Sequence, residues 1–97
     1  MPAGGTQDVL TRAIAQEVRD SLGPVIVDNR SGAAGRIAVE VVKTAAPDGH
    51  TLLLGTAGMM TMFPNAYRNL SYDPIKDFTP IVNAARFELA LVVNKDV

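Results

Sequence analysis

The chain has no cysteine and a single histidine, His50. Without cysteine there are no disulfides, no thiol nucleophile, no cysteine-ligated zinc and no iron–sulfur cluster. The redox compartment stays open. One histidine excludes a His-rich metal site and leaves a Ser-His-Asp arrangement one candidate base. A charge excess of either sign is also lacking: 9 Lys+Arg stand against 10 Asp+Glu, a net charge of −1. Clustered cations are what grip phosphates and anionic lipid, so neither nucleic acid nor a polybasic membrane contact is expected. No apolar run reaches the roughly 18 residues of a membrane span. Met1 is followed by Pro2, Ala3, Gly4 and Gly5 rather than by a basic and then an apolar segment, so no secretory leader is read here.

Catalytic fingerprints are missing too. Gly32-Ala33-Ala34-Gly35-Arg36 lacks the Lys-Ser/Thr of a phosphate loop, Gly55-Thr56-Ala57-Gly58 has no serine nucleophile, and no Gly-x-Gly-x-x-Gly occurs. No acid/base carboxylate pair stands out. The chain is read as a non-enzyme, with no catalytic residue, metal ligand or cofactor assigned.

What is present is a globular composition. Over 97 residues, 47% are hydrophobic and 20% charged, which is one small domain with one modest core. Pro2 to Thr6 is a Gly-rich loop that feeds a helix at once. Leu10, Ile14, Val18 and Leu22 recur at four-residue spacing, with Ala13 beside them. Either Thr6 or Gly5 caps this helix, Asp8 sits in its first turn, and Gly23 followed by Pro24 closes it. Val25-Ile26-Val27 reads as a strand. A second helix runs from about Ala33 to Ala45, with Ile37, Val41, Val42 and Ala45 on its inner face. Pro47-Asp48-Gly49 turns the chain. Thr51 to Gly55 reads as a strand buried on both faces, and Thr56-Ala57-Gly58 as the loop after it. Met59 to Tyr67 reads as a short helix limited by Pro64. Leu70 to Pro80 reads as extended chain with turns, and Phe87 to Val93 as a third strand. Helices alternating with short apolar strands predict an α/β fold with a mainly parallel sheet and flanking helices. Ligands of such sheets sit at the carboxyl ends of strands. The first Gly-rich loop has no strand before it, so the chain is expected to start one strand late.

An ordered set of motifs carries a family resemblance. It runs Pro2-Ala3-Gly4-Gly5-Thr6-Gln7-Asp8, then Leu22-Gly23-Pro24-Val25-Ile26-Val27-Asp28-Asn29-Arg30, then Gly32-Ala33-Ala34-Gly35. Ala45-Ala46-Pro47-Asp48-Gly49-His50-Thr51-Leu52-Leu53 and Gly55-Thr56 follow, then Asn65-Ala66-Tyr67, Tyr72-Asp73-Pro74-Ile75-Lys76-Asp77-Phe78 and Leu91-Val92-Val93-Asn94. Over essentially the whole chain this order resembles the substrate-binding receptors of tripartite tricarboxylate transporters, the TctC or Bug family. The resemblance implies a periplasmic, non-enzymatic receptor of two α/β lobes in a venus-flytrap arrangement (type II-like), which hands a small carboxylate to membrane transporter subunits. Residues 1–97 would be a single domain, most of the N-terminal part of the first lobe, with its first strand missing and the second lobe absent. One departure is visible: many members read Pro-Gly-Ala-Gly-Gly where this chain has Ser31-Gly32-Ala33-Ala34-Gly35, and Ala34 is expected to need a negative φ.

The expected site follows from helix ends, whose first N–H groups lack intrahelical partners. Gly4, Gly5 and Thr6 open one helix; Thr56, Ala57 and Gly58 precede another. Two such ends facing one cleft would hold a carboxylate without arginine. Asp8 would orient the loop or accept from an amine on the ligand, or be only a first-turn acid. The ligand is left as a di- or tricarboxylate, an amino acid or an aromatic acid. Bland readings stand beside these: a flexible Gly4-Gly5 tail, a plain turn at residues 56–58, a solvated Arg30 and an exposed His50. Met59, Met60 and Met62 would be helix packing or surface that a missing lobe covers. The alternative function is a truncated, non-binding fragment that self-associates as a homo-oligomer by strand exchange.

Overall fold

Glycine marks the two ends of the first helical stretch, which is itself divided in two. The computed structural model describes residues 2–97; Met1, on which the reading of a missing leading strand turns, lies outside them. Helix α1 spans Thr6–Glu17, with Gly5 as its N-cap. Val18 separates it from a further turn, α2, over Arg19–Leu22, while keeping its bonds to Ile14 and from Leu22. Gly23 then adopts φ 80°, ψ −166°, a region essentially confined to glycine, and the helix stops where the Gly-Pro pair predicts. The anticipated apolar stripe is less buried than its spacing suggests, since Leu22 remains 69% exposed.

A 3₁₀ turn over Ala33–Gly35 leads into α3, Arg36–Thr44. Here an expectation is overturned. Both Ala33 and Ala34 have positive φ, 48° and 55°, so the second alanine occupies the left-handed region instead of avoiding it. The inner face of α3 also differs. The four-residue stripe of Ile37 and Val41 faces outward, while Val39 is fully buried and Val42 half-buried. The reason lies one turn earlier: Gly35 has φ 89°, and a Cβ there would fall 2.0 Å from the Met59 methyl. That close approach sets the side of α3 that meets the core.

The core is small. Val39, Met59 and Tyr72 form it, with Leu53, Met60, Phe63, Leu70 and Phe78 packed around. Met59 belongs to a π-helical turn, Gly58–Met62, that runs directly into α4, Phe63–Ala66. Pro64 does not stop this helix as anticipated. It lies in the first turn of α4, where a missing N–H is tolerated, and the widened turn before it absorbs the misfit. Side-chain donors take up carbonyls along this stretch: Thr61 Oγ1 donates to Ala57 at 2.7 Å, Asn65 Nδ2 to Thr61 at 2.9 Å and the Tyr72 hydroxyl to Met59 at 2.6 Å. Burial raises the Tyr72 pKa, which keeps the hydroxyl a donor. The Arg36 guanidinium sits 4.5 Å over the Tyr67 ring and joins the start of α3 to the end of α4; such contacts contribute about 0.5–1 kcal/mol.

The predicted sheet is not formed. No strand is present among the described residues, and residues 25–27, 51–55 and 87–93 run as irregular chain. The physical reason is pairing. A strand exists through hydrogen bonds to a neighbour, and no backbone bond among the described residues uses any of these three segments. The apolar, β-branched composition that suggested strands is present, yet Ile26 is 90% and Leu52 60% exposed. The α/β class with a mainly parallel sheet is therefore replaced by helices and loops around one small core. No helix of the described residues is long and apolar enough to cross a membrane.

Two measurements check this account. Ala34→Gly removes a left-handed alanine and should raise stability by about 0.5–1 kcal/mol, read as an increased urea midpoint; Ala34→Val should lower it. Tyr72→Phe leaves the Met59 carbonyl without its donor and should cost about 1 kcal/mol in the same assay.

Candidate functional site

The first glycine loop is locked from within. The Gly4 N–H donates to Asp8 Oδ2 at 2.7 Å. Asn29 Nδ2 donates to Asp8 Oδ1 at 3.0 Å, and the Arg12 guanidinium reaches the same oxygen at 3.0 Å. Arg12 also donates to Asn29 Oδ1 at 3.2 Å. Asp8 is only 5% exposed. Its pKa is lowered from 3.8 to about 2, chiefly by the Gly4 N–H and then by Arg12 and Asn29, against the opposing effect of burial. The first-turn acid is thus bonded to the loop before it and to Asn29. It ties the loop before α1 to the segment that follows Gly23.

The sequence reading passed over Arg12 and Asn29. Arg12 lies four residues after Asp8, a spacing that places the two on one helix face, so the pair was legible. Asn29 was not, because it lies 21 residues away from Asp8 and only the fold brings it there. Arg30 makes an exposed ion pair with Asp28 at 2.8 Å. His50 is exposed in its turn, with its N–H on Asp48 Oδ1 at 2.9 Å.

The second loop has its own arrangement. The Thr56 carbonyl accepts from Met59 at 3.1 Å and Met60 at 3.3 Å. The Thr56 hydroxyl accepts a long bond from the same Met59 N–H at 3.4 Å. Ala57 is exposed and Gly58 half-buried, and their N–H groups belong to the opening of the helix, where no intrahelical acceptor exists. Gly5 and Thr6 occupy the equivalent cap and first positions of α1. Gly4 does not, since Asp8 already takes its N–H. No hydrogen bond or ion pair among the described residues joins residues 4–8 to residues 56–58. The described residues hold no group of three or more His, Cys, Asp or Glu able to bind a metal ion.

The Asp8 lock gives a pH dependence with a defined sign. A carboxyl whose folded pKa is depressed contributes stability that is fully present above its unfolded value and is lost as pH falls through the folded one. Between pH 3.8 and about 2 the urea midpoint should fall. Asp73 and Asp77 are lowered as well, the first by the Lys76 and Ile75 N–H groups and the second by the Asp73 N–H and then Lys43. Asp8→Asn should therefore show a smaller decline over this window than the unsubstituted chain, and lower stability at neutral pH. Equal declines for the two chains would contradict the lock.

Comparison with known proteins agrees with the motif order. Residues 10–97 match the family described as the tripartite tricarboxylate transporter family receptor. A UPF0065 protein from the tcbD–tcbE intergenic region of Pseudomonas sp. strain P51 is 38% identical over 98% of this chain and 28% of its own length. A UPF0065 protein from the TAR-I ttuE–ttuC′ intergenic region of Agrobacterium vitis shows the same identity and coverage, 38%, 98% and 28%. Protein BugT of Bordetella pertussis is 36% identical over 96% of this chain and 29% of its own length. The chain thus spans 28–29% of the length of these curated relatives. No solved structure matches. By the family match over residues 10–97 and by these relatives, the chain belongs to the tripartite tricarboxylate transporter receptor family.

Proposed function

We propose that this chain forms part of one lobe of a periplasmic solute receptor and contributes one wall of its ligand cleft. The ligand is a small organic carboxylate that is passed to membrane transporter subunits. The family match over residues 10–97 carries this reading. The carboxylate would be held by backbone N–H groups at helix starts: Gly5 and Thr6 at the cap and first position of α1, Ala57 and Gly58 at those of the π-turn, with the Thr56 hydroxyl as a further donor. Gly4 and Asp8 would shape the first loop rather than touch the ligand. Arg12 balances the charge of Asp8, so an approaching carboxylate meets no uncompensated anion. The role is binding and transfer, not catalysis.

One wall is expected to bind weakly. Small-molecule sites bury about 70–90% of their ligand, and this chain represents 28% of its relatives' length. Calorimetric titration with di- and tricarboxylates, aspartate, glutamate and aromatic acids should give dissociation constants above about 10 μM for the 97-residue chain. A chimera of BugT in which residues 2–97 replace the corresponding stretch should bind at least one of these acids more tightly than that. A tighter constant for the short chain would overturn the single-wall reading. A folded chimera that binds none of the acids would overturn the carboxylate reading.

A further inference from the structure

Asp8 is the one buried charged side chain among the described residues. A buried carboxylate is kept only where donors replace the water it has lost. Three donors do so here. The Gly4 N–H takes Oδ2 at 2.7 Å, while Arg12 and Asn29 share Oδ1, each at 3.0 Å. Gly4 and Arg12 belong to α1 and the loop that leads into it. Asn29 comes from outside them, 21 residues along the chain from Asp8. It uses both ends of its amide: Nδ2 donates to Asp8, and Oδ1 accepts from the Arg12 guanidinium at 3.2 Å. A primary amide does both without adding a charge; aspartate would lose the donor, and leucine both bonds. The guanidinium is the weaker support, since Arg12 is 56% exposed and water screens it, whereas Asn29 is half-buried.

The N–H groups assigned to the carboxylate lie directly after this contact. Gly4 turns the chain with φ 81°. Gly5 caps α1, and its carbonyl accepts from the Val9 N–H at 3.0 Å. The loop is thus held at Gly4 by Asp8 and at Gly5 by the helix. A Cβ on Gly4 would meet nothing within 4 Å, and one on Gly5 only the Pro2 carbonyl at 3.5 Å. The described residues therefore hold this loop by hydrogen bonds rather than by packing.

We infer that Asn29 is a positioning residue for the Gly5 and Thr6 donors: it fixes the Asp8 carboxyl, through which the Gly4 N–H and the two N–H groups after it are set, and it touches no ligand itself. Its part in binding rests on the carboxylate site proposed above; its hold on the loop does not. Without Asn29 the carboxyl turns more freely about its side-chain torsions, and Gly4 loses a fixed acceptor. The charge of Asp8 is then balanced by the exposed Arg12 alone.

Nuclear magnetic resonance on the isotopically labelled chain tests both halves. Asn29→Leu keeps the side-chain volume and removes both bonds; Asn29→Asp keeps the shape and sets an anion against Asp8. In each, the Gly4 amide proton should lose the low-field shift of a bond to carboxylate. Asp8 should titrate higher, moving from about 2 toward 3.8 in the leucine variant and further upward in the aspartate one. Signals of Met59 and Tyr72, which lie in the core, should stay in place and report that the fold is kept. Succinate should move the Gly5 and Thr6 amides of the unsubstituted chain. Its dissociation constant should be about tenfold larger in both variants, the low end of what supporting groups are worth at metal sites. An unchanged Gly4 shift and Asp8 titration in Asn29→Leu, or an unchanged succinate affinity, would overturn the inference. Gly5 and Thr6 amides that succinate leaves unmoved in the unsubstituted chain would instead count against the carboxylate site, and the Gly4 and Asp8 signals would still decide the role of Asn29.

Discussion

The fold hangs on one methionine in one narrow place. Met59 reaches Gly35 so closely that no side chain could stand between them, packs beside Val39, and offers its carbonyl to the Tyr72 hydroxyl. Three segments far apart in sequence meet there: the start of α3, the π-turn and the strap that carries Tyr72. A flexible, unbranched side chain suits the task, since it fills a gap whose shape the backbone dictates. The left-handed alanines before α3 and the widened turn before Pro64 both lie next to this contact. Each is a local cost that the contact offsets.

The helices were legible because their punctuation is local. Gly5 caps the start of α1, Gly23 the end of α2, and Gly35 the start of α3. What the sequence could not show is which face is buried. The Ile37 and Val41 stripe has the stronger periodicity, yet Val39 is inside, because Gly35 lets Met59 approach on that side. The strands failed for a related reason. Residues 25–27 and 51–55 have the composition of buried strands, but a strand is a property of two segments and composition speaks for only one. Family membership came from the order of motifs, which does not depend on their pairing.

The candidate site divides in the same way. Asp8 and Arg12 are joined by a helical spacing that any reader of the chain can find. Asn29 enters only through the folded path after Gly23. The consequence for binding is that the loop before α1 has two kinds of N–H group. That of Gly4 is spent within the protein, while those of Gly5 and Thr6 open the helix without an intrahelical partner. An acid that would oppose an anionic ligand, were it unpaired, instead holds the donors in place.

The polar lock around Asp8 and the apolar cluster around Met59 share no residue. Clusters held by different residues need not share one stability, so unfolding is best followed with a separate probe in each rather than with a single free energy.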